Sequence, residues 1–77
     1  MTNLDKYTAA FIECLSVEEE QLSGYKYQDH GWDSIGHMTL MAALEEAFDI
    51  MLDTDDIIDF SSFEKGKEIL RKYDVEL

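Results

Sequence analysis

The chain has 77 residues, 45% of them apolar, with 18 acidic against 6 basic side chains and a formal net charge of −12 at pH 7. That length sets the expectation of one domain over residues 1–77 with a modest core, since so short a chain buries only ~60% of its unfolded surface. The charge excludes nucleic acid and anionic membrane surfaces, which need a basic footprint, and favours a partner with a basic patch reached by electrostatic steering.

The first helix is predicted from about Asn3 to Ser16, with Asn3 as its cap. Leu4, Tyr7, Thr8, Phe11, Cys14 and Leu15 recur there at helical spacing and make one face. Val17 to Asp33 is a long connection. Ser16-x-x-Glu19 has the form of a capping box and is expected to start a short helical turn through Gln21. Ser23-Gly24 and His30-Gly31 then break regular structure. Leu22, Tyr25, Tyr27 and Trp32 are too apolar for a free linker and are expected to pin the connection onto the helices. Connections this long are often functional.

The second helix is predicted from Ser34 to Phe48 or Asp49. Asp33 can cap it, which leaves Ser34 at the first helical position. Free backbone N–H groups and the positive end of the helix dipole favour an anion there. Met38, Leu40, Met41, Leu44, Ala47 and Phe48 form a broad apolar stripe. Glu45, Glu46 and Asp49 lie to one side of it. Ile35 and Ala42 fall on that acidic side, which points to a contact surface. Ile50 to Asp55 reads as a loop with Met51 and Leu52 as buried anchors. Asp55 or Asp56 is expected to cap a short third helix ending near Phe60. Ser61 and Ser62 precede a fourth helix from about Phe63 to Tyr73, with Phe63, Ile69, Leu70 and Tyr73 on its inner face. The fold class is therefore all-α, a small antiparallel four-helix bundle of three main helices plus the short third one.

Cys14 is the only cysteine, which excludes an internal disulfide and a cysteine metal cluster, and it suits a small buried side chain in a cytoplasmic protein. The start of the chain has no basic segment followed by an apolar run, so no signal peptide is expected. No apolar stretch approaches the ~20 residues that span a bilayer. Asp53, Asp55, Asp59 and Glu64 occupy calcium-loop positions, but Ile57 and Ile58 stand where a ligand and the turn glycine are required, so no metal site is expected. His30 and His37 lack zinc-site spacing, and His37 reads as a local hydrogen-bonding residue. Asp33, Ser34 and His37 lie close in sequence, but so short a chain offers little scaffold for a hydrolase pocket and oxyanion hole.

Gly31-Trp32-Asp33-Ser34-Ile35-Gly36-His37-Met38, followed by Leu40, Leu44, Glu45, Glu46, Phe48 and Ile50, resembles the acyl carrier protein family, and the resemblance covers nearly the whole chain. It implies a non-catalytic carrier. A phosphopantetheinyl transferase would move 4'-phosphopantetheine from coenzyme A to the hydroxyl of Ser34, with Asp33 serving both as cap and in transferase recognition. The terminal thiol would then hold an acyl group as a thioester. Met38, Met41, Leu44 and Phe48 are assigned to an acyl pocket, since methionine is adaptable enough to line a space that opens and closes. Gly36 beside Ser34 is expected to leave room for the modification. Glu45, Glu46, Asp49, Asp55, Asp56 and Asp59, with Ile35 and Ala42, match the family's acidic recognition region. They would meet basic docking patches on acyl-loading, ketosynthase or acyltransferase-type enzymes. Asp53 stands where carriers of bulk fatty-acid synthesis usually have proline, which suits a specialised stand-alone bacterial carrier. The expected state is a monomer in the cytoplasm. Two alternatives stay open at this point: an aminoacyl or peptidyl carrier, and an acidic helical interaction module whose Ser34 is never modified.

Overall fold

In the computed structural model, which describes residues 2–77, the chain enters its first helix at Thr2 rather than at Asn3. Thr2 Oγ1 accepts from the Asp5 amide at 3.1 Å, and Asp5 Oδ2 accepts from the Thr2 amide at 3.2 Å. This reciprocal pair satisfies two donors that a helix start otherwise leaves free. Helix α1, Asn3–Leu15, ends at Ser16, which turns left-handed with φ 55°. Ser16 thus closes α1, and the box expected on Ser16 and Glu19 does not form. The short 3₁₀ turn Glu19–Gln21 is set instead by Glu18, whose amide donates to Gln21 Oε1 at 2.8 Å.

Helix α2 runs Ser34–Phe48, α3 Thr54–Asp59 and α4 Phe63–Arg71. α4 stops two residues before Tyr73. α3 starts at Thr54, one residue before Asp55 and two before Asp56, the two expected caps, with Asp53 at its cap position and both Asp55 and Asp56 inside its first turn. Among the described residues no strand forms, and the expected all-α bundle is present. None of the helices is long and apolar enough to cross a membrane.

Rings fill the core. Phe11 is wholly buried and lies 5.0 Å from Tyr7, 5.0 Å from Phe63, 5.3 Å from Trp32 and 6.2 Å from Phe60, centroid to centroid. Such pairs add about 0.5–1.5 kcal/mol each beyond the area they bury. Tyr7 keeps its hydroxyl satisfied inside by donating to Phe63 O at 2.7 Å, and burial with nearby Glu64 raises that hydroxyl above its ordinary pKa.

The long connection is pinned as expected by Leu22, Tyr25 and Trp32, all buried, while Tyr27 stays 36% exposed. Two backbone bonds stitch it to the α3–α4 junction: Tyr27 N–H to Ser61 O and Phe63 N–H to Tyr25 O, both 2.9 Å. At Gly31 φ is +81°, and a Cβ would sit 2.6 Å from Leu15 O, so the turn into α2 requires glycine on both counts. Between α2 and α3 only one of the two expected anchors is buried. Leu52 is 8% exposed and its amide donates to Glu45 Oε2 at 2.8 Å, whereas Met51 is 85% exposed. Leu52 is held inward while Met51 projects to solvent.

Gly66 is where α4 meets the ring cluster. A Cβ there would lie 2.1 Å from Tyr7 Oη and 2.3 Å from the Phe60 ring. Neither ring has free space to retreat into. Gly66→Ala is therefore expected to lower stability by about 1–3 kcal/mol despite alanine's better helix propensity. Urea unfolding of the two proteins measures it; equal midpoints would show that the cluster is loosely packed.

Candidate functional site

The start of α2 is built by Asp33. Its backbone is extended, and its Oδ1 accepts from the Gly36 amide at 2.8 Å while its carbonyl accepts from the His37 amide at 2.8 Å. The cap expected from the sequence is therefore present. It leaves Ser34 at the first helical position, with the amides of Ser34 and Ile35 free of intrahelical partners and the serine side chain exposed. Gly36 serves packing rather than room for a modification: a Cβ would lie 2.8 Å from Leu15 Cδ2 and 3.2 Å from Asp33 Oδ1. Its bare backbone lets α2 approach the end of α1.

Trp32 and His37 bracket the cap. The Trp32 indole N–H donates to His37 Nδ1 at 2.9 Å, and His37 Nε2 lies 2.8 Å from Ile57 O. Accepting on Nδ1 fixes the imidazole as the neutral Nε2–H form, so Nε2 donates to Ile57 O. That carbonyl is among the last of α3, which the helix itself leaves without a partner. Both His37 nitrogens are engaged and Asp33 Oδ1 is spent on Gly36, and no hydrogen bond joins either side chain to the Ser34 hydroxyl. The geometry is that of a displayed hydroxyl, not an activated nucleophile.

Two open clefts meet at Ser34. One, about 480 Å³, follows the polar loop of residues 27–34. The other, about 360 Å³, is apolar and is lined by Tyr27, His37, Met38, Ile57, Ile58 and Phe60. Of the four residues assigned to an acyl pocket, Met38 alone lines this cleft, at 57% exposure. Met41 and Leu44 lie in the packed core, and Phe48 packs half-buried against it near the far end of α2. Tyr27, Ile57, Ile58 and Phe60 were not singled out for this site in the sequence. Ile58, 72% exposed among the aspartates of α3, carried the one local signal, an apolar side chain on an acidic surface helix.

Ile35, Met38, Ala42, Glu46 and Asp49 are all exposed and recur every three or four residues, so they form one stripe along α2. Asp55 and Asp59 of α3 are exposed as well. Glu45 is only half-buried into this surface, because it holds the Leu52 amide.

Asp56 departs from the expected recognition set. It is 7% exposed, and its two oxygens take Lys72 Nζ at 2.5 Å and Tyr73 Oη at 2.5 Å. Tyr73 Oη in turn accepts from the Asp53 amide at 2.9 Å, so this cluster ties both ends of the first turn of α3 to the end of α4. The hydrogen bonds from Lys72 and Tyr73 hold the Asp56 carboxyl below its ordinary pKa.

The family profile described as phosphopantetheine attachment site matches residues 9–65. Comparison with curated proteins finds no match.

A carboxyl with a lowered pKa in the folded chain stabilises the fold fully above its ordinary value of 3.8, and the contribution fades as pH falls through the lowered value. Asp56→Asn is thus expected to melt below the wild type at neutral pH, with the gap closing in strong acid. Thermal melts of both proteins across that range check this. A gap that persists in acid would mean that the carboxylate charge contributes nothing.

Proposed function

The chain belongs to the phosphopantetheine attachment site family, and from that premise we propose that it is an acyl carrier whose attachment residue is Ser34. The family is defined by 4'-phosphopantetheine held covalently on a serine, so the chain is a carrier of that group. One observation supports Ser34 above the chain's other serines: it alone combines an exposed hydroxyl, the first position of a long helix and free amides beside it.

The residues present fit the group. No side chain covers Ser34, the two clefts beside it are open, and the α2 amides and dipole favour a phosphodiester. In the transfer from coenzyme A, the Ser34 Oγ–phosphorus bond forms as the pyrophosphate linkage breaks. Adenosine 3',5'-bisphosphate leaves, and the hydroxyl gives up its proton to a base of the transferase. Asp33 holds the helix start rigid while this occurs, and it offers the transferase a carboxylate oxygen beside the serine. When attached, the group supplies a thiol that holds cargo as a thioester. The chain contributes tethering and display, which raise the cargo's effective concentration at a partner enzyme; it performs no chemistry on the cargo.

Ile35, Met38, Ala42 and Ile58 give partners an apolar contact area, and Glu46, Asp49, Asp55 and Asp59 ring it with negative charge, with Glu45 at its half-buried edge. Each exposed ion pair made there contributes about 0–1 kcal/mol, which suits partners that bind and leave. The transferase and acyl-transfer enzymes with basic docking patches are the expected partners. In this reading residues 1–77 act as one monomeric unit in the cytoplasm.

Incubation with coenzyme A and a broad-specificity phosphopantetheinyl transferase, read by intact-protein mass, tests the assignment. The wild type is expected to gain one phosphopantetheine and Ser34→Ala none, with unchanged melting temperatures. A folded wild type that gains nothing, or a Ser34→Ala chain that gains the same mass, contradicts it.

A further inference from the structure

A chain carried on Ser34 meets the apolar cleft between α2 and α3 first. Whether it can pass into the bundle depends on what stands behind that cleft. His37 stands there and joins the two helices directly, with Nε2–H on Ile57 O at 2.8 Å and Nδ1 occupied by the Trp32 N–H at 2.9 Å. Parting α2 from α3 breaks the Ile57 bond. An alkyl chain offers neither donor nor acceptor to replace it, so the imidazole Nε2–H and the Ile57 carbonyl would be left unpaired wherever the chain lay over them.

The space beyond His37 is already full. Trp32 and Phe60 are each 1% exposed, and Phe11 behind them is 0% exposed. The Phe60 ring would lie 2.3 Å from even a methyl group at Gly66, so it has nowhere to withdraw. The cleft itself is a shelf and not a tunnel, since Met38 is 57% and Ile58 72% exposed on its rim.

Resting on the reading of Ser34 as the attachment residue, we propose that this carrier holds its acyl cargo outside the helical bundle, with His37 shutting the interior. An acyl group of a few carbons finds cover on the shelf beneath Met38 and Ile58. A longer chain runs past the shelf and stays in water, where its apolar surface has no shelter in this fold.

Loading the full chain from butyryl-, octanoyl- and dodecanoyl-coenzyme A with a phosphopantetheinyl transferase gives a series that tests this. Native hydrophobic-interaction chromatography, melting temperature and Trp32 emission are read on each form. Retention is expected to climb at every step, with melting temperature and Trp32 emission level across the series. Retention that levels off from the octanoyl form onward, with a rising melting temperature and shifted Trp32 emission, would show the chain entering the bundle and overturn the proposal. In His37→Leu, which removes both bonds, the dodecanoyl form is expected to lose part of its extra retention. If it keeps all of it, His37 is not the barrier; if the variant does not fold, the wild-type series alone decides. A folded wild type that accepts none of the three groups contradicts the attachment reading itself, an outcome the mass spectrum separates from both others.

Discussion

Trp32 brings an indole N–H into a core built of rings and hydrocarbon, and a buried donor without a partner costs about 1–3 kcal/mol. The chain meets that demand with His37, one turn into α2, and the answer shapes everything near Ser34. Because His37 accepts on Nδ1, it must donate on Nε2, and the acceptor within reach is a terminal carbonyl of α3. One buried N–H thereby locks the end of the long connection, the start of α2 and the end of α3 to one another. Asp33 and Ser34 lie between the two members of that lock. The display of the serine is set by the same contacts that close the core behind it.

α2 answers to two surfaces. Leu40, Met41 and Leu44 face the core, whereas Ile35, Met38 and Ala42 face outward among acidic residues. A helix with apolar residues on both sides is poorly amphipathic. Ile35 stays 78% exposed on the outer side, next to Ser34. The acidic residues share that surface, and their charge repels other copies of the chain. That charge carries a cost in self-repulsion, which the Asp56–Lys72–Tyr73 cluster partly offsets by anchoring the acidic α3 to the basic end of α4.

What the sequence made legible is local. Asp33 as cap, Ser34 at the head of α2, the ring-bearing connection and the order of the helices all follow from rules that operate within one or two turns, and the structure has them. The misreadings at the site and in the core are decided by distant contacts, whereas the Thr2 cap and the Glu18 turn are local features that the sequence reading placed one or two residues off. Asp56 looks like its neighbours Asp55 and Asp59 until α4 folds back and sets Lys72 and Tyr73 on it. Met41 and Leu44 share a periodic stripe with Met38, yet the bundle buries the first two and leaves Met38 at the cleft. Met51 and Leu52 are equally apolar, and the bond from the Leu52 amide to Glu45 decides between them. His37 was readable as a hydrogen-bonding residue, but its second partner, a carbonyl twenty residues on, was not.

The state of the His37 ring tests the account most directly. Long-range ¹H–¹⁵N NMR spectra of the uniformly labelled chain at neutral pH distinguish the two ring nitrogens. The expected result is a protonated Nε2 and an unprotonated Nδ1, with the Trp32 indole proton protected from solvent exchange. A ring protonated on Nδ1, or an indole proton that exchanges freely, would contradict the lock on which both the display of Ser34 and the closed interior depend.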